Sequence, residues 1–203
     1  MDRNEYRMKQ KKKRRKRKSQ RNKMVWSVVC LLLVLGAGFA LYKMITAENF
    51  EKNGTEFLEQ KEYEKAIAEF EKIVSKGTEP EDGYLGIGLA KYEQGEYKEA
   101  LKAFEKAIQK ETHQTAEVYR LMGICDMELE DYQKALNSFN LGIAKTEEEK
   151  DCEEIAKEMR RSVVACYEQT EDWENACQKA EEYMKLYPED TEMQKELQFL
   201  RSR

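Results

Sequence analysis

The stretch Tyr84–Ile108, YLGIGLAKYEQGEYKEALKAFEKAI, decides the fold of this chain. After Gly95 the residues Tyr97, Ala100, Leu101, Phe104, Ala107 and Ile108 recur at helical spacing, so one face is apolar. Before Gly95 lies a second apolar segment, Leu85 to Tyr92, with small residues at Gly86, Gly88 and Ala90. Two helical segments around a glycine read as a helix–turn–helix pair. Gly88 and Ala100 are placed where the two helices approach most closely, because a larger side chain would push them apart. Tyr97 and Phe104 fill the remaining gaps.

The pattern recurs along the chain. EYEKAIAEFEKI begins at Glu62, EYKEALKAFEKA at Glu96, DYQKALNSFNLG at Asp131 and DWENACQKAEEY at Asp172. Ala66, Ala100, Ala135 and Ala176 align, at spacings of 34, 35 and 41 residues. Three residues before them stand Tyr63, Tyr97, Tyr132 and Trp173; four after come Phe70, Phe104, Phe139 and, as an exception, Ala180. Twelve residues upstream lie Gly54, Gly88, Gly123 and Val164, and four before those Phe50, Tyr84, Tyr119 and the departing Arg160. No single unit buries its apolar face alone, whereas stacked units share one continuous core.

This pattern resembles the tetratricopeptide repeat, a helix–turn–helix unit of about 34 residues, over residues 47 to about 190. The resemblance implies an all-α solenoid of about four helix pairs, with repeats near 47–80, 81–114, 116–149 and 157–190 and a capping helix over 191–203. The reading is nine helices and no strand. The last unit diverges most, keeping Tyr167, Trp173, Ala176 and Pro188. Gly77 and Pro80 read as a helix stop and restart. The connection TEEEKDCEEIAKEM from Thr146 lacks Gly and Pro and reads as an extended helix. Thr191 with Gln194 reads as a capping box opening the last helix.

In this family the first helices of successive units line a concave groove that holds an extended or helical peptide. The residues matching that column are Leu85, Leu89, Tyr92, Arg120, Ile124, Met127 and Arg161. The first unit supplies Glu48, Glu51 and Thr55 instead, which departs from the basic carboxylate clamp of some relatives. A groove apolar in its centre and charged at its ends fits an apolar or helical peptide. The competing reading is that these side chains simply pack against the preceding unit.

Upstream, Met24–Tyr42 reads MVWSVVCLLLVLGAGFALY, without a charge. As a helix it matches the hydrocarbon thickness of a bilayer, with Trp26 and Tyr42 near its ends. Residues 1–23 carry 13 Lys/Arg and two acids, whereas 46–203 carry 22 Lys/Arg and 38 Asp/Glu. A basic cluster resists translocation, so the expected layout is a cytoplasmic tail over 1–23, a signal anchor over 24–45 and an extracytoplasmic repeat domain over 46–203. A cleaved signal peptide cut after Ala40 is the alternative. Gly36 and Ala40 form a small-xxx-small pair suited to helix pairing in the membrane. Beside a membrane span, the basic run reads as topogenic and lipid-facing rather than nucleic-acid-binding. The layout is similar to small bacterial inner-membrane proteins with one span and an exported repeat domain.

Charged residues make up 37% of the 203, and His113 is the only histidine, which removes most His-based metal and acid–base sites. The sequence holds no phosphate loop, nucleophile elbow or zinc-protease motif. No catalytic residue, metal or cofactor is therefore expected. Cys125, Cys152, Cys166 and Cys177 lack a C-x-x-C pair, which disfavours zinc. They read as free thiols, with Cys125, Cys166 and Cys177 filling core slots; Cys166–Cys177 and Cys125–Cys152 disulfides are the alternative. The expected function is a membrane-anchored scaffold that docks a protein or peptide. The alternatives are a self-assembling structural membrane protein or an ancillary factor of secretion or envelope assembly.

Overall fold

The second helix of each unit follows directly from its sequence. In YEKAIAEFEKIVSK the residues Ala66, Ile67, Phe70 and Ile73 fall on one stripe, and all four are buried. The computed structural model describes residues 48–77, 79–149 and 152–203, and the segment Ala47–Arg203 forms one compact unit. The basic tail, the apolar segment 24–42 with Cys30, and the Gly36/Ala40 pair lie outside the described residues. Among the described residues no helix is long and apolar enough to cross a membrane.

Residues 48–59 are helical and are termed α1. There follow α2 (Tyr63–Lys76), α3 (Pro80–Glu93), α4 (Tyr97–Ala107), a 3-10 turn (Glu111–His113), α5 (Ala116–Glu128), α6 (Tyr132–Thr146), α7 (Glu153–Gln169), α8 (Trp173–Leu186) and α9 (Thr191–Leu200). From α2 onward each helix packs on its successor, and α5 also touches α7. Phe50, Phe57 and Leu58 tie α1 to Ala66, Phe70 and Ile73 of α2. The described residues thus form an all-α stack of helix pairs without a strand.

The glycine column explains the close approach within each pair. A Cβ built on Gly88 would lie 2.6 Å from the Phe104 ring, on Gly123 2.4 Å from Phe139, and on Gly54 2.7 Å from Phe70. Each ring fills the space that its unit's glycine leaves open. Phe104 and Phe139 are fully buried, as are Ala66, Ala100, Ala135 and Ala176. Cys125 and Cys166 stand ten residues before Ala135 and Ala176, equivalent to Ala90, and all three are fully buried.

The turns show a feature the sequence does not announce. Lys61, Gly95, Glu130 and Glu171 all have φ between 57° and 75°. Every unit reverses through a left-handed residue, yet only one unit spends a glycine there. Gly77 closes α2 at φ 61°, and Pro80 opens α3, as expected. Asp131 and Asp172 cap α6 and α8 by accepting from Lys134 N–H and Asn175 N–H.

Two local expectations are corrected. The third connection is not a continuous helix: α6 ends at Thr146, Glu147 and Glu148 turn, and α7 begins at Glu153. Three glutamates directly after the negative end of α6 oppose its continuation. Glu149 instead accepts the Ala116 N–H at 2.9 Å, satisfying the start of α5. The cap of α9 is Asp190, one residue before Thr191; its carboxylate accepts the Met193 N–H at 3.1 Å.

Candidate functional site

The first helices α3, α5 and α7 carry the seven groove residues foreseen from the sequence, and all seven are half-buried. Leu85, Leu89 and Tyr92 pack on the cluster of Phe104, Val118, Tyr119 and Met122. Ile124 and Met127 pack on the next cluster, around Phe139, Met159 and Val163. Each therefore has an inner side packed on the core and an outer side left uncovered. The Tyr92 ring meets Tyr97 edge-on, with centroids 6.1 Å apart.

Arg120 links the column across units. Its guanidinium grips Glu117 through two bonds, of 2.8 and 2.7 Å, and reaches Glu158 of α7 at 2.9 Å. It also lies within the electrostatic reach of Tyr92, whose hydroxyl pKa is raised by burial. Arg120 and Glu158 thus join α5 to α7.

Arg161 has a different role from the one expected of a groove residue. It donates to the Tyr183 hydroxyl at 2.9 Å and to the Asp190 carboxylate, and its other nitrogen lies 3.6 Å from Glu192. The Tyr183 hydroxyl donates to the same Asp190 oxygen at 2.5 Å. The Tyr183 hydroxyl and the Arg161 guanidinium hold the Asp190 carboxyl far below the usual carboxylate range. Arg161 therefore clamps the cap helix to the last repeat. Sequence reasoning missed Asp190, although an Asp directly before a helical Thr-x-x-Gln is itself a cap signal.

Beside this clamp a recess of about 210 Å³ opens between α7 and α9. Val164, Ala165 and Met193 form its floor, and Glu168, Glu192 and Glu196 surround it. Burial and then Glu196 across the recess push the Glu168 carboxyl up to about 7.

The first unit presents Glu48, Glu51, Lys52, Thr55, Glu56 and Glu59 on one face of α1. Asp82 accepts from His113 Nε2 at 2.5 Å and from Lys110 at 2.8 Å; this cluster ties the start of α3 to the segment that follows α4. Among the described residues no group of His, Cys, Asp and Glu is arranged to hold a metal. Cys125, Cys166 and Cys177 are free thiols, so neither disulfide of the alternative scheme is present. Burial pushes Cys125 up to about 12 and Cys166 up to about 11, which keeps them inert. Cys152 donates to Glu149 at 3.5 Å.

Known proteins match this architecture. The family model described as anaphase-promoting complex, cyclosome, subunit 3 matches residues 59–140. No curated protein matches the chain. Among solved structures, the MamA protein superposes with a TM-score of 0.66 at 15% identity, covering 77% of this chain and 81% of its own. YrrB, a TPR protein with an unusual peptide-binding site, gives 0.61 at 17% identity, covering 75% of each chain. The TPR2B domain of yeast Sti1, solved with pHsp70, gives 0.55 at 19% identity, covering 62% of this chain and 98% of that domain. The fold is that of a tetratricopeptide-repeat solenoid.

Proposed function

We propose that this protein is a membrane-anchored, non-catalytic scaffold that docks a protein or peptide partner along its first helices. The observation that carries this reading is the line of half-buried Leu89, Tyr92, Arg120, Ile124 and Met127 along α3 and α5, with Arg120 reaching the exposed Glu158 of α7 at 2.9 Å. Apolar side chains already held by a core on one side lose little entropy on binding. The charged neighbours are locked in ion pairs, so they fix orientation at little further cost. The peptide-binding site of YrrB and the pHsp70 complex of the Sti1 domain show that this fold serves such docking elsewhere.

The anchoring part of the reading rests on the uncharged run 24–42 beside the +11 tail over 1–23. Protease added outside intact cells then removes the repeats and spares the tail; a fully protected repeat domain refutes this topology. Self-assembly is the second reading, and the C-terminal end of the stack argues against it. The outer face of α9 presents Thr191, Glu192, Gln194, Lys195 and Gln198, with Phe199 as the one large apolar exception. A photocrosslinker at Tyr92, compared with one at the exposed Leu141 of α6, tests the docking reading in intact membranes. A distinct second protein captured from position 92 and not from 141 supports it. A ladder of homo-oligomers favours self-assembly, and equal capture from both positions removes the groove.

A further inference from the structure

Arg160 stands where the other three units carry Phe50, Tyr84 and Tyr119. In the first two units that ring lies against a lysine of the second helix. Lys76 Nζ is 4.2 Å from the Phe50 centroid, and Lys106 Nζ is 4.4 Å from that of Tyr84. In the fourth unit the polarity is reversed. Here α7 supplies the cations and Tyr187, after α8, supplies the ring, with Lys157 Nζ 5.7 Å from its centroid. Burial and then Glu153 raise the Tyr187 hydroxyl pKa, and nearby Arg160 opposes them. The Arg160 Nε is buried and without an acceptor.

The neighbouring guanidiniums are matched. Arg120 has Glu117 and Glu158, Arg161 has Asp190 and Glu192, and Arg201 has Glu181. Arg160 forms no ion pair among the described residues, in a domain otherwise rich in carboxylates. Its side chain lines a recess of about 60 Å³ together with Asn140, Ile143, Val163, Lys179 and Glu182. Lys179 is paired with Glu182 at 2.8 Å, so the charge of Arg160 is the uncompensated charge of this lining. A buried charged donor with no acceptor is costly, and a planar guanidinium matches the geometry of a carboxylate. The volume equals that of about two waters, which a single carboxylate group displaces.

We propose that this recess is a carboxylate-binding site, in which Arg160, with the Asn140 amide beside it, receives an aspartate or glutamate side chain of a partner protein. The recess opens between the second helices α6 and α8, whereas the docking column runs along the first helices. It is therefore a contact separate from the groove and does not depend on it.

The test is an NMR titration of the full-length chain, labelled at arginine and held in detergent micelles, with acetate as the probe at constant ionic strength. The Arg160 Nε–H resonance should move saturably while those of the paired Arg120 and Arg161 stay in place. Arg160→Leu should abolish the response of this site, and Arg160→Lys, which keeps the charge but loses the planar fork, should weaken it several-fold. Movement of all three arginines together, or no saturable movement of Arg160, overturns the proposal. Phosphate displacing acetate as readily as acetate binds would overturn the assignment to a carboxylate. The wild-type titration stands even where a variant fails to fold. Unchanged capture at Tyr92 in Arg160→Leu keeps this result distinct from the groove.

Discussion

Two buried residues show how little room the repeat leaves for error. Gly123 touches the rigid, fully buried Phe139, and a Cβ there would lie 2.4 Å from the ring. Gly123→Ala should therefore destabilise the domain by about 1–3 kcal/mol, measured by urea unfolding. A change within error would mean that the helices can separate freely. Asp126 is the opposite case, a carboxyl the fold tolerates rather than needs. It is 4% exposed, and burial pushes it up to about 6 while the Ser138 hydroxyl, donating at 3.3 Å, pulls the other way. The folded state then holds a proton that the unfolded chain releases near pH 4, so this group's contribution falls as pH rises from about 4 to about 6. Asp126→Asn keeps a polar partner for Ser138 and should gain about 1–2 kcal/mol at pH 7 over wild type. The gain should vanish near pH 4, and a variant equally shifted at both pH values would contradict the burial argument.

At the level of the helix, the attachment of α9 is the clearest device. Asp190 caps α9, and the same carboxylate receives Tyr183 and Arg161 from the last repeat. Asp190→Ala removes the cap and leaves a guanidinium and a hydroxyl without their acceptor. It should cost about 2–4 kcal/mol and expose Val164, Ala180 and Tyr183, which α9 covers through Met193, Leu197 and Leu200. Because the Asp190 pKa is depressed, its contribution is present above the unfolded value of 3.8 and is lost as pH falls through and below it. The difference between Asp190→Ala and wild type should therefore shrink on acidification; a pH-independent difference would contradict the clamp.

Such details were only partly legible in the sequence. The glycine, alanine and aromatic columns announced the pairs because small-against-large packing forces residue type at each position. The left-handed turn at Lys61, Glu130 and Glu171 was hidden because those residues bear no glycine signal, the stacked helices imposing the conformation. Arg161 matched a groove column by spacing, yet its partners come from α8 and the residue before α9. A one-dimensional register does not show which carboxylate is within reach. The same holds for the unpaired Nε of Arg160, which only the packing of α6, α7 and α8 reveals.

Over the whole repeat domain, the units share one core. The clusters around Phe70, Phe104, Phe139 and Tyr183 each draw side chains from consecutive helices, which is what ties one pair to the next. The inner column proposed for docking exists only if those pairs stay in register. Trp173 is the single tryptophan of the segment 47–203 and sits in the last unit, packed on the cluster of Val164, Ala176 and Tyr183. Its fluorescence therefore reports one end of the stack, whereas far-UV circular dichroism reports every helix. Urea unfolding of residues 47–203, followed by both signals, is the most direct test. One shared transition from a helix-rich state is the expected result. Separate midpoints, with Trp173 released while the remaining helices persist, would contradict a single continuous stack.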